Sequence, residues 1–296
     1  MVSDLNADGW RLRLTAVESS KEIFKSLKET GGYAFTHLGL LERRDGALFQ
    51  AAAADEFLNT VAVFLSYARG AACSVPVRWG VGANGDVTWQ AWGSPIVDAW
   101  KTPDNWFDEH HGNLLSELLP AFLNASRDPD LAEPFRLALH WYQKSNMRAG
   151  GMEGAIILGI TNLDLLAALI VVDRAGAMDS DKFDWLAAEK KLRMLLQTMN
   201  VPISIPSKYS DLAAFAVSNN WSDGPAALAS IRHGYVHANR RNRKVVLAAP
   251  KLATFQAWQL SLWYQELALL HFLNHRGEYR NRVTAEWLGI VERVPW

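Results

Sequence analysis

Alternation is the first signal along the chain. Over 10–17, Arg11, Arg13 and Thr15 fall on one side and Leu12, Leu14 and Ala16 on the other, the period of a half-buried strand. Segment 19–30 reads as a short helix stopped by Gly31-Gly32, and 33–42 returns to strand spacing. A turn at Arg43-Arg44-Asp45-Gly46 leads into a long helix over 47–69, with Phe49, Phe57, Val61, Phe64 and Leu65 available for its buried face. The runs 75–81 and 87–92 flank Ala83-Asn84-Gly85-Asp86, and Asn-Gly between two such runs predicts a β-hairpin.

From Asp128 onward the strand signals fade and the helical period takes over. Segment 130–145 places Leu131, Phe135, Leu139 and Tyr142 in register. Segment 153–172 is apolar nearly all round, which predicts a helix at the centre of a bundle. Asp179 or Ser180 caps a helix over 182–199, Pro202 and Pro206 interrupt, and 207–217 is a short helix. Ser222 or Asp223 with Pro225 then starts a helix expected to run to about Lys244, and a last one follows Pro250 to about His275. The fold class is therefore α+β: a mixed α/β half with a hairpin over 1–127, then an all-α helical bundle over 128–296.

Composition narrows the class without naming an activity. The 296 residues are 49% hydrophobic and 21% charged, as in an ordinary globular protein. One cysteine, Cys73, excludes an internal disulfide and points to a reducing, cytoplasmic setting. The start, Met1-Val2-Ser3-Asp4, has no basic segment or apolar core of a secretory signal. The longest uninterrupted apolar run, 165–172, is too short to span a bilayer, so no membrane partner is expected.

Charge is where the chain departs from the ordinary. The net charge is −1, yet no Asp or Glu occurs from Gly224 to Gln265, while Arg232, Arg240, Arg241, Arg243, Lys244 and Lys251 all fall there. A near-neutral chain with one cationic segment predicts a local anion site. Within it, His233 and His237 are i and i+4 and so face one side of a helix, as do His237 and Arg241. Arg232 and His237 are five apart, about 140° round a regular helix, so Arg232 lies at the edge of that face. Gly234 is expected to loosen the turn between them, and Tyr235 and Val236 to be core. Arginine forks onto phosphate oxygens and histidine titrates near neutral pH, which suits a phosphodiester.

The Arg-x4-His spacing of Arg232 and His237, with a polar residue, His233, directly after the arginine, resembles the ribonuclease signature of the HEPN superfamily. The helical half from 128 to 296 matches that family's bundle; the first half resembles no enzyme family. The resemblance implies a metal-independent endoribonuclease without cofactor, with Arg232, His237 and His233 as catalytic residues and Arg240, Arg241, Arg243 and Lys244 binding RNA. It also implies a homodimer, or a higher assembly of dimers, in which two motifs share one composite site. A bacterial toxin or antiphage effector with an antitoxin or regulatory partner fits that type. One subgroup carries a modifiable Tyr two residues after the histidine; Asn239 stands there instead, so that route of inactivation is not expected. For the dimer, Ala226, Ala227, Ala229, Gly234 and Ala238 permit close approach along the motif helix, and Trp258, Trp263 and Tyr264 are the expected apolar support.

Blander readings stand beside this one. A basic run is often only a solvated helix face, and the same face suits a non-catalytic RNA- or nucleotide-binding module acting as sensor or scaffold, or a purely structural dimerisation bundle. His233 and His237 have the spacing of a metal pair, but no third ligand is apparent, so no metal is expected. Gly80-Val81-Gly82 precedes a strand rather than a helix and is not a dinucleotide fingerprint. Asp108-Glu109-His110-His111 reads as a polar helix start, and His271, His275 and Arg276 as cations complementing a helix end.

Overall fold

A two-residue turn opens the fold. In the computed structural model, which describes residues 2–102, 104–237 and 239–296, β1 (Val2–Ala7) pairs antiparallel with β2 (Trp10–Ala16). Asp8 and Gly9 join them with φ of 51° and 76°, the left-handed pair that tight hairpins require. The chain leaves for helix α1 (Ser20–Thr30) and returns as β3 (His37–Arg43) on the other side of β2, giving the order β1-β2-β3. Alternation along β2 sends Trp10 and Leu12 inward, while Arg11 pairs with Glu42 and Arg13 with Asp4 on the opposite face. Strand β1 is not legible in the sequence because Val-Ser-Asp-Leu-Asn-Ala carries little apolar signal.

Helix α2 (Ala51–Arg69) buries Phe57, Val61 and Phe64 and ends at Gly70 in the left-handed conformation. Phe49, expected on the buried face, precedes the helix and is exposed, its ring lying edge-on to Trp10 at 4.8 Å. The hairpin β4 (Val77–Val81) and β5 (Val87–Trp92) turns at Asn84-Gly85 and is tied back by Arg78, which pairs with Asp55 of α2. Helix α3 (Asn113–Arg127) adds Leu118, Leu119, Phe122 and Leu123 to a cluster with Phe64, Tyr67 and Trp106. Pro120 inside it masks a helix that the sequence pattern does not place. Asp108 accepts from the amide of His110 in the turn before α3, so the Asp108–His111 cluster is a helix entry.

The chain divides into two compact units, Met1–Asp128 and Pro129–Trp296. The second is built on α4 (Ala132–Asn146), α5 (Gly151–Ala167), α6 (Ser180–Asp184), α7 (Ala188–Thr198), α8 (Ser210–Ser218), α9 (Gly224–Val236), α10 (Arg240–Leu247) and α11 (Lys251–Phe272). Its central helix is α11, buried continuously from Gln256 to Leu270, with α4, α5, α8 and α9 packed around it. Helix α5 continues as a π-helix over Ala168–Arg174. Together they form 24 residues apolar and long enough to cross a membrane, although most of that length is buried. The single helix expected over 182–199 is two, α6 and α7, broken between Trp185 and Ala187. The C-terminal segment is not purely helical either: β6 (Glu278–Tyr279) and β7 (Glu292–Arg293) form a short antiparallel pair.

Candidate functional site

Helix α9 is anchored at its start. The Asp223 carboxylate accepts from the amide of Ala226 at 2.8 Å and Pro225 occupies the first turn. Arg193 of α7 donates to both Asp223 oxygens, at 2.7 and 3.3 Å, and also to Glu189. The arginine is held fully charged by those carboxylates, the hydrogen bond to Asp223 first among them. Gly224 lies so close to Tyr264 that an added Cβ would stand 2.6 Å from its hydroxyl.

At its other end α9 stops sooner than the spacing predicts. It ends at Val236, and His237 takes extended backbone (φ −97°, ψ 146°) while its amide still donates to His233 at 3.0 Å. A new helix, α10, begins at Arg240, with Asn239 as its cap: the side-chain oxygen accepts from the amides of Arg241 and Asn242. The expected continuous helix to Lys244 is therefore two helices, and Arg240 and Arg241 do not share the face of His233 and His237. The cause is packing at Gly234. It is a regular helical position, not a loosened one, and an added Cβ would meet the Val246 methyls of α10 at 2.6 and 2.7 Å. The missing side chain lets α10 fold back onto α9.

The motif residues fall into three environments. The imidazoles of His233 and His237 are exposed and lie side by side, centroids 4.3 Å apart with planes inclined by 36°. Arg232 is half-buried, and its Nε is buried without a hydrogen-bond partner among the described residues. Arg240, Arg241, Arg243 and Lys244 are all exposed on α10. Tyr235 is half-buried; burial raises its phenol pKa, Glu153 adds to this, and a hydrogen bond with Thr254 opposes it. Val236, expected in the core, is exposed because the helix ends there. No group of three or more His, Cys, Asp or Glu suited to a metal occurs among the described residues.

Most of the residues expected to face a second chain pack within the unit itself, while Ala229 is half-buried. Ala226 and Ala227 are buried, and Gly234 is covered by Val246. Ala238 lies outside the described residues. Trp258, Trp263 and Tyr264 are core side chains of α11; the Trp258 indole donates to the carbonyl of Ser145 at 2.9 Å.

A second concentration of charge escapes the sequence pattern. Glu266, in the middle of α11, is fully buried and accepts from the Tyr142 hydroxyl at 2.9 Å, from Arg282 Nε at 2.9 Å and from Arg282 Nη2 at 2.5 Å. The same guanidinium donates to Gln259 and Asn146. A lone acid within an apolar helix is the signal that could have found it, because such a group is buried only with a partner. The network joins α4, α11 and the C-terminal segment and is closed off from solvent, which makes it structural. His271 and His275 are likewise tied into that segment: Trp296 stands edge-on to His271 at 4.9 Å, and its indole donates to the carbonyl of His275.

Comparison with known proteins places the whole chain. A family described as the YopA C-terminal domain matches residues 128–292, and one described as the YopA central domain matches residues 2–103. The SPbeta prophage-derived uncharacterized protein YopA of Bacillus subtilis (strain 168) is 28% identical over 280 residues, 94% of this chain. The chain spans 61% of that relative's length. No solved structure matches. The two domain matches, in the same order as the two compact units, make this chain a member of the YopA family.

Proposed function

We propose that the C-terminal unit is a metal-independent endoribonuclease. The observation that carries this reading is the pair of exposed, adjacent imidazoles, His233 and His237, in an acid-free stretch and followed by the four exposed cations of α10. His237 takes the proton of the attacking 2′-hydroxyl, and Arg232 neutralises charge building on the phosphorane. Attack by the RNA's own 2′-hydroxyl leaves a 2′,3′-cyclic phosphate, so DNA is inert. Arg240, Arg241, Arg243 and Lys244 hold the flanking phosphates.

The Arg-x4-His resemblance to HEPN ribonucleases supports this reading and adds a composite site between two chains. Arg232 is half-buried while the imidazoles are exposed, which favours an arginine and a histidine pair drawn from different chains. The setting proposed is the bacterial cytoplasm, as a toxin or antiphage effector; a relative of prophage derivation fits it. Arg232→Ala and His237→Ala, each tested on total RNA and on tRNA, are expected to abolish cleavage with the circular dichroism spectrum unchanged. Wild-type rates in both variants place the chemistry elsewhere.

A second reading, a non-catalytic RNA- or nucleotide-binding module, draws on the same exposed cations of α10. Mass spectrometry of nucleic acid retained by the purified protein, beside a cleavage assay, separates the two: bound but intact RNA is its signature.

A further inference from the structure

We propose that two copies of this chain pair through β3, edge to edge and antiparallel, about a two-fold axis at Gly39. The pairing concerns the N-terminal unit alone and stands apart from the ribonuclease reading. The two edges of the β1-β2-β3 sheet differ. Beside β1 lies α3, and the Ser116 hydroxyl donates to the carbonyl of Asp4 at 2.6 Å, so that edge is in use. On the far side of β3 no further strand is paired among the described residues. At one end of β3 the Thr36 carbonyl accepts from the amide of Val17 at 3.1 Å; at the other the Arg44 amide donates to the carbonyl of Gly9 at 2.8 Å. Both point toward β2 and its hairpin. Peptide direction alternates along a strand, so the groups of His37, Gly39 and Leu41 point away from β2.

Edge strands of soluble proteins commonly carry a lysine, a proline or a bulge that discourages pairing. Strand β3 has none of these: it reads His-Leu-Gly-Leu-Leu-Glu-Arg, and its register against β2 runs without a shift from His37 to Arg43. Its side chains are those of a covered strand. Leu38 and Leu40 are 62% and 54% exposed, on the face that carries the Arg11–Glu42 and Arg13–Asp4 pairs. Tyr33 and Phe35, which lead into the strand, are 68% and 61% exposed. These four leave roughly 400 Å² of apolar surface open on each chain, about half of what a stable contact buries on each partner. The backbone and polar side chains of 33–45 lie in line to supply the rest.

The strand is complementary to itself in one register above the others. An axis normal to the sheet keeps every side chain on its own face, so residues of equal parity must oppose each other. With the axis at Gly39, that residue bonds its own copy, and His37 bonds Leu41 of the second copy. Leu38 then meets the second copy's Leu40 in the closer, non-hydrogen-bonded pair, and this contact occurs twice. Glu42 falls opposite Thr36 and Arg43 opposite Phe35, so no like charges meet. An axis at Leu40 sets Glu42 against Leu38, and one at Leu38 sets Leu40 against Thr36; each keeps one leucine pair where the Gly39 axis makes two.

Two measurements on the full chain test this. Sedimentation over a range of concentrations is expected to show a dimer, and Leu40→Lys to weaken it by about a hundredfold or more, since both leucine contacts are lost. The circular dichroism spectrum and melting temperature of Leu40→Lys should match the wild type, because the side chain faces solvent in the single chain. The second measurement fixes the register. In a Cys73→Ser background, a mixture of Leu38→Cys and Leu40→Cys chains is expected to give a disulfide-linked dimer on mild oxidation, and either chain alone to give none. A wild type that sediments as a monomer at every concentration overturns the pairing. A dimer that Leu40→Lys leaves unchanged places the contact on another surface and also overturns it, with the ribonuclease reading untouched. Cross-linking of either cysteine chain to itself moves the axis off Gly39 and overturns the register.

Discussion

Gly234 is the position at which one methyl group decides whether α10 can lie against α9. An alanine there would bring its Cβ to within 2.6 Å of Val246 and 3.0 Å of the Asn242 carbonyl. Overpacking of this kind costs about 1–3 kcal/mol. Gly234→Ala is expected to lower the melting temperature, and Val246→Ala in the same chain to restore part of it. Equal melting of Gly234→Ala and wild type removes the packing account. The adjacency of His233 and His237 is legible in the sequence from their spacing of four, which brings two side chains together on one turn. The reason for Gly234 is not, since it is set by Val246, a side chain of the next helix that only the folded chain brings near. Val236 misleads for a related cause: an apolar residue beside a helix end has no neighbour to cover it.

At the scale of elements, α10 is a short helix with cations exposed along it and one buried residue, Val246, underneath. Reversing Arg240, Arg241 and Arg243 to Glu is expected to weaken RNA binding and flatten its salt dependence. On a single strand the log–log slope should fall by about 0.7 for each phosphate that is no longer neutralised. An unchanged slope means that these side chains only face solvent. Most helices are legible in the sequence because their apolar period is strong, as over 130–145 and beyond Pro250. Breaks and masked helices are not. Asn239 is a residue type favoured at helix starts, but it caps α10 only because His237 before it is extended and ends α9. The break between α6 and α7 has no proline or glycine to announce it, and in α3 Pro120 lies inside the helix, where the sequence rule expects an interruption.

At the scale of the whole molecule, the C-terminal segment is locked into its unit by one buried ion pair. Arg282 and Glu266 have side chains 1% and 0% exposed. Removing one partner of such a pair costs about 3–5 kcal/mol, because the other charge stays buried. Glu266→Gln is therefore expected to destabilise strongly in urea, while Glu266→Leu with Arg282→Met recovers much of the loss. Equal stability of the single variant and wild type excludes the lock. Assembly has its own test. Mixing an Arg232→Ala chain with a His237→Ala chain should restore cleavage, since each retains what the other lacks. A strict monomer by light scattering, fully active at nanomolar concentration, removes the composite site. The α+β class is legible from the change of period near Asp128. The partners of Glu266 are not, since they come from α4 and from a segment beyond the end of α11 that local patterns cannot connect.

The interruption between α9 and α10 has a consequence for how such a protein diversifies. The groups proposed to break the bond sit on one helix and those proposed to grip the strand on another, joined by a capped break. Substitutions on the exposed side of α10 can therefore change which sequences or shapes are held, and leave the imidazoles where they are. On the proposed roles, target choice and bond-breaking become separately inheritable traits, so the first can be altered without relearning the second.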